Sequence, residues 1–252
     1  MDLSEDIAGI LRSEGVGIYG FADPRDWETD PLVSANVPPE RRPLSIMPDA
    51  RTVLVFAVPV SRTIVDTAPS IYYRCHYDTL NQKLDSISQR VVMELELLGH
   101  RSAYLPRDGY NGVVGASAVR SFFSHKHAAY LAGLGTFGVN STILTPQYGP
   151  RVRFASVLTE AEFPEYGHPM EEELCTECGL CSRMCPKGAI GERRYPYSRI
   201  DKEKCSNRSA ELIRTRTYPC GRCIAVCPVG KDRASSPTED AVREIRSHMK
   251  IA

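Results

Sequence analysis

Apolar residues recur every three or four positions in two stretches of the chain, which is the spacing of one face of an α-helix. The longer stretch is followed by Gly99, and glycine is favoured just past the C-terminus of a helix. The shorter stretch lies near the start of the chain and ends before Gly15. This pattern predicts one helix on Leu3, Ile7, Ile10 and Leu11 and another on Leu80, Leu84, Ile87, Val91, Leu95 and Leu98.

Unbroken apolar runs elsewhere predict β-strands. The clearest run covers 52–58, and it is too uniformly apolar for a strand with one face in water. We therefore expect both of its faces to be covered. Residues 23–49 contain six prolines, and we expect a surface loop there. Shorter runs predict further strands at 17–22, 102–105, 141–145 and 152–158.

Helix and strand patterns alternate irregularly, so we predict an α+β fold rather than a regular βαβ fold. Ser124 is placed to cap a further helix that would extend to Ala132. The stretch 237–250 has the composition of a solvated terminal helix. We expect an α+β cofactor or substrate domain over 1–165 and a smaller cysteine-rich module with this helix over 166–252.

Eight of the nine cysteines form two runs in the second half of the chain, and each run ends in Cys-x3-Cys-Pro. This spacing is typical of ferredoxins with [4Fe–4S] clusters, in which the last cysteine of one run ligates the other cluster. We therefore predict two clusters with crossed ligands. The first would be held by Cys175, Cys178, Cys181 and Cys227, and the second by Cys185, Cys205, Cys220 and Cys223.

Other uses of the cysteines fit less well. Zinc binds paired Cys-x2-Cys units, but it needs neither the Cys-Pro endings nor eight thiolates in two such runs. A disulfide framework does not match the rest of the chain, where Cys75 stands alone. For Cys75 we expect a small buried apolar residue, with a ligand or reactive thiol as the alternative.

Gly133, Gly135 and Gly138 match the G-x-G-x-x-G pattern of dinucleotide-binding proteins. That pattern must follow a strand and open a helix, whereas here it follows a helical pattern and precedes a strand. We therefore reject a dinucleotide site. The glycines either allow a tight turn or bring the backbone close to a flat cofactor.

Two histidines and two arginines are further candidates for a binding site. His125 and His127 are two residues apart, so they do not share a helix face and are not expected to ligate one metal together. One of them would donate a proton in a pocket, or both are capping or surface residues. Arg151 and Arg153 alternate along a predicted strand and so share a face. They would clamp a phosphate or carboxylate, or belong to a solvated face.

Composition narrows the class of protein. The formal net charge is zero, which gives no general electrostatic reason to bind nucleic acid or an acidic membrane. The apolar runs are shorter than a membrane span, and the first residues are acidic, unlike a signal peptide. We expect a cytoplasmic protein that does not bind membranes, a compartment that also suits reduced thiols.

Several segments together carry a family resemblance. They are Gly-Ile-Tyr-Gly-Phe-Ala at 17–22, the glycine segment up to Asn140, Leu-Thr-Pro-x-Tyr-Gly-Pro at 144–150, Leu-Thr at 158–159, and both cysteine runs. On these residues the chain resembles the epoxyqueuosine reductase family and, more distantly, the ferredoxin-like end of reductive dehalogenases. The resemblance covers nearly the whole chain.

The resemblance implies a nitroreductase-like α+β domain that holds cobalamin, with flavin as the alternative cofactor. Two [4Fe–4S] clusters would pass single electrons to the cobalt for reductive removal of a leaving group. A ferredoxin or flavodoxin would supply the electrons. Alternatively, the protein is a non-catalytic electron carrier for a corrinoid or other partner protein. The residues expected to border the cofactor are Gly133, Gly135, Gly138, His125, His127, Asn140, Arg151 and Arg153.

The sequence departs from the family pattern in two places. The family's catalytic aspartate has no counterpart in Val-Arg-Ser-Phe at 119–122, and Val139 replaces a family lysine. We also expect no helical-repeat extension of the kind that longer members use on tRNA. We therefore expect a paralogue that does not act on tRNA, with a true epoxyqueuosine reductase as a third hypothesis and the catalytic residues left unassigned.

Overall fold

The structure, a computed structural model, describes residues 3–106 and 121–233. In these ranges α-helices and β-strands follow one another irregularly, as predicted. The elements are α1 (Leu3–Ser13), β1 (Ile18–Ala22), α2 (Asp26–Thr29), α3 (Pro31–Asn36), α4 (Pro43–Ile46), β2 (Thr52–Pro59), α5 (Arg62–Val65), α6 (Ile71–Leu97), β3 (Ser102–Tyr104), α7 (His125–Leu131), β4 (Thr136–Phe137), β5 (Ile143–Leu144), β6 (Val152–Thr159), α8 (Leu180–Arg183), α9 (Lys202–Arg214) and α10 (Arg222–Ala225).

A four-stranded sheet organises the first part of the chain. Its strand order is β1-β2-β6-β3, and every neighbouring pair is antiparallel. Strand β2 lies inside the sheet and is buried over residues 52–58 because helices cover both faces. Leu54 and Phe56 pack with α1 and α6 on one face, while Val53 and Val55 pack with α2, α3 and α7 on the other. The prediction that both faces are covered is confirmed.

The proline-rich stretch 23–49 is not the surface loop that we expected. It forms α2, α3, a 3-10 turn at Pro39–Arg41 and α4. Pro31, Pro39 and Pro43 fit because they stand at first helical positions, where a missing N–H costs nothing. Asp30 caps α3 by accepting a hydrogen bond from the Val33 N–H at 2.8 Å. The fully buried Trp27 shows that this stretch contributes to the core.

Two smaller predictions are also wrong. Cys75 is exposed, because α6 begins at Ile71 and its buried face passes through Tyr73 instead. Ser124 precedes α7 but does not cap it, because its hydroxyl bonds to the side chain of His127 at 2.6 Å. The predicted terminal helix at 237–250 lies outside the described residues.

The described residues before 166 are here called the sheet region. The stretch 166–233, here called the cysteine-rich segment, contains α8, α9 and α10 and few buried apolar side chains. Its buried apolar residues are Ala189, Ile190, Leu212, Ala225 and Cys227. No helix within the two described ranges combines the length and apolar character needed to cross a membrane.

Candidate iron–sulfur site

The two cysteine runs share one local structure. In each run a Cys-Gly pair precedes a four-residue helix that carries the next cysteine, so that Cys181 lies on α8 and Cys223 on α10. The glycines, Gly179 and Gly221, have φ of 71° and 67°. Residues other than glycine rarely adopt this conformation, which turns the chain sharply between two ligands. Cys205 lies on α9, between the two runs in sequence.

The pKa shifts of the thiols indicate which cysteines of the two runs lie near one another. Burial is the main cause of the raised pKa of Cys227, which reaches about 11, and Cys175 and Cys181 of the first run also raise it. Burial likewise raises the pKa of Cys205, with contributions from Cys220 and from Cys185 of the first run. The last cysteine of each run therefore lies with the cysteines of the other.

The two groups of thiols adjoin each other. Burial raises the pKa of Cys223 above its ordinary range, and the charges of Cys220, Cys205, Cys181 and Cys185 add to the effect. Cys181 belongs to the first predicted group and the other three to the second. This proximity is what electron exchange between two clusters would require.

A small cavity is lined by all four cysteines predicted for the first cluster, namely Cys175, Cys178, Cys181 and Cys227. Its other walls include Val139 and Leu144 from the sheet region and Val229 from the cysteine-rich segment. Four sulfur donors around an apolar cavity fit an iron–sulfur cluster, because apolar walls limit solvent access. Within residues 3–106 and 121–233, no three His, Cys, Asp or Glu side chains are grouped closely enough for a single metal ion.

Raised thiol pKa values bear on how a cluster would be held. Thiolates bind metals, so cluster assembly must remove protons from buried thiols such as Cys223 and Cys227. The free energy of metal binding would offset the cost of deprotonating these thiols. At Cys185 the sulfur accepts a hydrogen bond from the backbone N–H of Ala189 at 3.3 Å. Such N–H···S bonds are among the features that tune cluster potentials.

Arg151 connects the sheet region to the cysteine-rich segment. Its side chain has no solvent exposure and donates to the Cys227 carbonyl at 2.9 Å and the Val229 carbonyl at 2.7 Å. It also pairs with both carboxylate oxygens of Asp232, at 2.7 and 2.6 Å. All three guanidinium nitrogens thus hold the chain that follows the last cysteine.

Arg153 lies over the ring of Tyr77, 4.0 Å from its centroid. The same aromatic group reaches the second cysteine run: Tyr77 packs edge-on against Tyr218, and Tyr73 packs against Gly221 so closely that a Cβ there would collide with its ring. Arg151 thus contacts the cysteine-rich segment directly, and Arg153 is connected to it through Tyr77.

The glycine segment packs against other segments of the same chain. A Cβ at Gly133 would lie 2.6 Å from the His168 carbonyl oxygen, and one at Gly135 would collide with the Leu144 carbonyl. Gly133 also has a φ of 68°. Gly138 lines the cavity of the first cysteine group. These contacts are those of a tight turn in close packing.

Asn140 joins this turn to the second cysteine group. Its Nδ2 donates to the Cys223 carbonyl at 3.3 Å, and its Oδ1 accepts from the N–H and hydroxyl of Thr142. The neighbouring Ser141 carbonyl accepts a hydrogen bond from the Lys126 ammonium at 2.7 Å. Burial of this ammonium, at the end of an exposed stem, lowers the pKa of Lys126 to about 8. Sequence reasoning missed Lys126, for which no motif signals such contacts.

The two histidines have separate environments, as their spacing predicts. His127 is buried, and its Nε2 bonds to the Tyr195 hydroxyl at 3.0 Å in the cysteine-rich segment. Burial, together with nearby Lys126 and Arg199, lowers the pKa of His127 to about 3, so it is neutral at physiological pH. His125 bonds to Ser156 at 2.9 Å through Nδ1.

A cavity of about 810 Å³ lies at the opposite end of β6 from Arg151. Its walls include Asp23, Arg25, Asp49, Arg51, Glu160 and Glu162. None of the predicted cofactor residues lines it. Of those eight residues, Gly138 and Asn140 meet at the cysteine cavity, while Gly133, Gly135, His127 and Arg151 contact other parts of the chain. A role of these residues at a cofactor stays a prediction.

Comparison with known proteins defines the class of this site. Residues 174–231 match the family model of the 4Fe-4S dicluster domain. The chain is 26% identical over 244 residues to a tetrachloroethene reductive dehalogenase of Desulfitobacterium hafniense, covering 90% of this chain and 39% of the relative. It is 24% identical over 264 residues to the epoxyqueuosine reductase of Bacillus subtilis (strain 168), covering 92% of this chain and 64% of the relative.

A solved catabolic reductive dehalogenase, in complex with 3-bromo-4-hydroxybenzoic acid, has the same fold with a TM-score of 0.66. It is 18% identical, and the match covers 98% of this chain and 36% of that one. The protein is therefore an iron–sulfur redox protein with an α+β sheet region followed by a ferredoxin-like dicluster domain. The chain is similar over most of its length to the epoxyqueuosine reductases and to the reductive dehalogenases. The chain spans less than two thirds of either curated relative.

Proposed function

We propose that this protein passes single electrons through two [4Fe–4S] clusters to a low-potential acceptor in a reductive reaction. The observation that carries the proposal is the cavity lined by Cys175, Cys178, Cys181 and Cys227, where the last cysteine of the second run meets three cysteines of the first. A crossed ligand set places two clusters side by side. The clusters would supply one-electron chemistry, which no amino-acid side chain in this site offers.

The surrounding residues would keep the clusters in place and limit water. Val139 and Leu144 form apolar walls beside the first group of cysteines. Asn140 fixes the backbone at Cys223, while Arg151 fixes the backbone at Cys227. Because these contacts come from the sheet region, that region would set the solvent access of the clusters and so their potentials.

A cobamide is the acceptor that we propose first. Support comes from relatives alone: one structural neighbour, with a TM-score of 0.63, is described as suggesting a mechanism for B12-dependent dehalogenation. Among the residues expected to border a cobamide, Gly133, His127 and Arg151 make contacts with other parts of the protein.

The test is an anaerobic titration of the iron-loaded protein with cob(II)alamin, followed by EPR. A shift of the cobalt signal to a base-off form would support a cobamide acceptor near the clusters. An unchanged cobalt signal, with both clusters present, would exclude the cobamide and leave the second candidate.

The second candidate is a non-catalytic electron carrier that reduces a separate corrinoid or other partner protein. The engagement of Arg151, His127 and Gly133 in protein contacts favours it, since these residues then contribute packing rather than a small-molecule pocket. It predicts that the clusters reduce a partner protein while no small substrate is turned over. An epoxyqueuosine reductase is the third candidate, and failure to restore queuosine in a strain lacking that enzyme would exclude it.

A further inference from the structure

Charge is strongly divided within the cysteine-rich segment, although the whole chain has a formal net charge of zero. Residues 171–177 contain four glutamates and neither Lys nor Arg. Residues 183–222 contain eleven Lys or Arg and four Asp or Glu. This basic stretch carries Cys185, Cys205 and Cys220, which are three of the four ligands predicted for the second cluster.

Helix α9 and the turn after it bring this positive charge to the surface. Arg214 ends the helix and Arg216 follows in the turn, and both are exposed. Neither side chain has an ion pair or hydrogen bond to any residue in the ranges 3–106 and 121–233. Ile213, 43% exposed, lies next to them as an apolar centre. An apolar residue within a charged rim is the usual anatomy of a protein interface.

Helix α9 carries four Lys or Arg and two acidic residues, Glu203 and Glu211. Glu211 is paired with Lys187 at 2.6 Å and with Arg208 at 3.1 Å, and these two cations lower its pKa. One carboxylate is thus shared by two cations. Cations outnumber carboxylates on α9, and Arg216 adds a further positive charge in the turn, so this surface is placed to steer an acidic partner.

We propose that Ile213, Arg214 and Arg216, here called the α9 surface, dock an acidic one-electron carrier protein such as a ferredoxin or flavodoxin. This inference rests on the proposed function. In the transfer step one electron leaves the reduced carrier and enters the second cluster, so the carrier is oxidised and the cluster reduced by one electron each. Cys205 lies on α9 itself and Cys220 follows the turn, so a carrier docked here would contact the protein beside both ligands.

RNA is the other polyanion that a basic surface attracts. The α9 surface has an aliphatic centre rather than aromatic side chains on which bases stack, which favours a protein partner. Binding of RNA in place of ferredoxin is the alternative that the experiment must distinguish.

The experiment compares the iron-loaded wild type with the double variant Arg214→Glu, Arg216→Glu and with the control Lys83→Glu, an exposed cation on α6. Affinity for a purified acidic ferredoxin is measured anaerobically by calorimetry at two salt concentrations. Reduction of the clusters by photoreduced deazaflavin, a small uncharged reductant, is measured in parallel.

We expect the double reversal to weaken ferredoxin binding by about tenfold or more and to remove most of its salt dependence. The control should bind like wild type, and all three proteins should be reduced by deazaflavin at the same rate. Equal affinity of the double variant and the control would overturn the docking surface. So would loss of RNA binding in the double variant with ferredoxin binding unchanged. Failure of deazaflavin to reduce any of the three proteins would instead overturn the proposed function.

Discussion

The sheet region and the cysteine-rich segment are stabilised in different ways. In the sheet region β2 is buried along almost its whole length between two apolar clusters. In the cysteine-rich segment Ala189, Ile190, Leu212 and Ala225 are the buried apolar residues besides a cysteine. A segment with so little buried apolar surface needs other support, and small domains commonly obtain it from metals. We therefore expect the first region to fold on its own core and the second to depend on its clusters.

Removal of iron should affect the two regions most differently. Because apolar burial in the cysteine-rich segment is small, chelation should expose its backbone while the sheet persists. Hydrogen exchange followed by mass spectrometry would show amide protection lost over 174–231 and retained in β2 and β6. Equal protection of 174–231 with and without iron would contradict the metal dependence.

Arg151→Met should give the largest effect of a single substitution outside the cysteines. It leaves Asp232 and two carbonyls without their buried cation, at a cost of about 3–5 kcal/mol for a broken buried pair. Thermal unfolding and iron retention would both report the change. Arg101→Met is the matched control, because the Arg101 ion pairs are exposed and should be worth about 1 kcal/mol or less. Similar losses in both variants would show that Arg151 does not join the two regions.

A pair of glycine substitutions tests the packing of the turn beside the cysteine cavity. Gly135→Ala places a methyl group against the Leu144 carbonyl and should destabilise the protein by about 1–3 kcal/mol. Gly9→Ala lies within α1 with open space around it and should stabilise by about 0.5–1 kcal/mol. Denaturant unfolding measures both. A neutral Gly135→Ala would mean that the turn has room, as a cofactor wall requires.

His127 should give a smaller effect that depends on pH. Its folded pKa is lowered to about 3 by burial, so the unfolded chain takes up a proton as pH falls through the ordinary histidine range and the folded chain does not. The histidine should therefore reduce stability by about 1 kcal/mol between about pH 7 and about pH 5.5. His127→Gln keeps a polar side chain near Tyr195 and should flatten that part of the stability profile. Parallel profiles for the two proteins would show that His127 is accessible to protons when folded.

The sequence predicts those features that depend on local pattern. The uniform apolar run at 52–58 identified the buried strand, and the spacing of Leu80, Leu84 and Ile87 identified α6. Cysteine spacing predicted an iron–sulfur domain, because a cluster imposes a fixed geometry on nearby ligands. The start of α6 was missed, since its first turns mix polar and aromatic residues, and with it the exposed position of Cys75.

Contacts between distant parts of the chain could not be predicted. Arg151 and Asp232 are 81 residues apart in sequence, and nothing in the pattern of either segment joins them. The same is true of His127 and Tyr195. Prolines misled the prediction for 23–49, because at the first position of a helix they support the structure that they interrupt elsewhere.

The most direct test of the two-cluster account is a count of iron and acid-labile sulfide in the anaerobically loaded protein, beside the Cys227→Ser variant. We expect about eight irons per chain in the wild type and about four in the variant. The remaining reduced cluster of the variant should still give a [4Fe–4S] EPR signal. About four irons in the wild type, or bound zinc in their place, would contradict it.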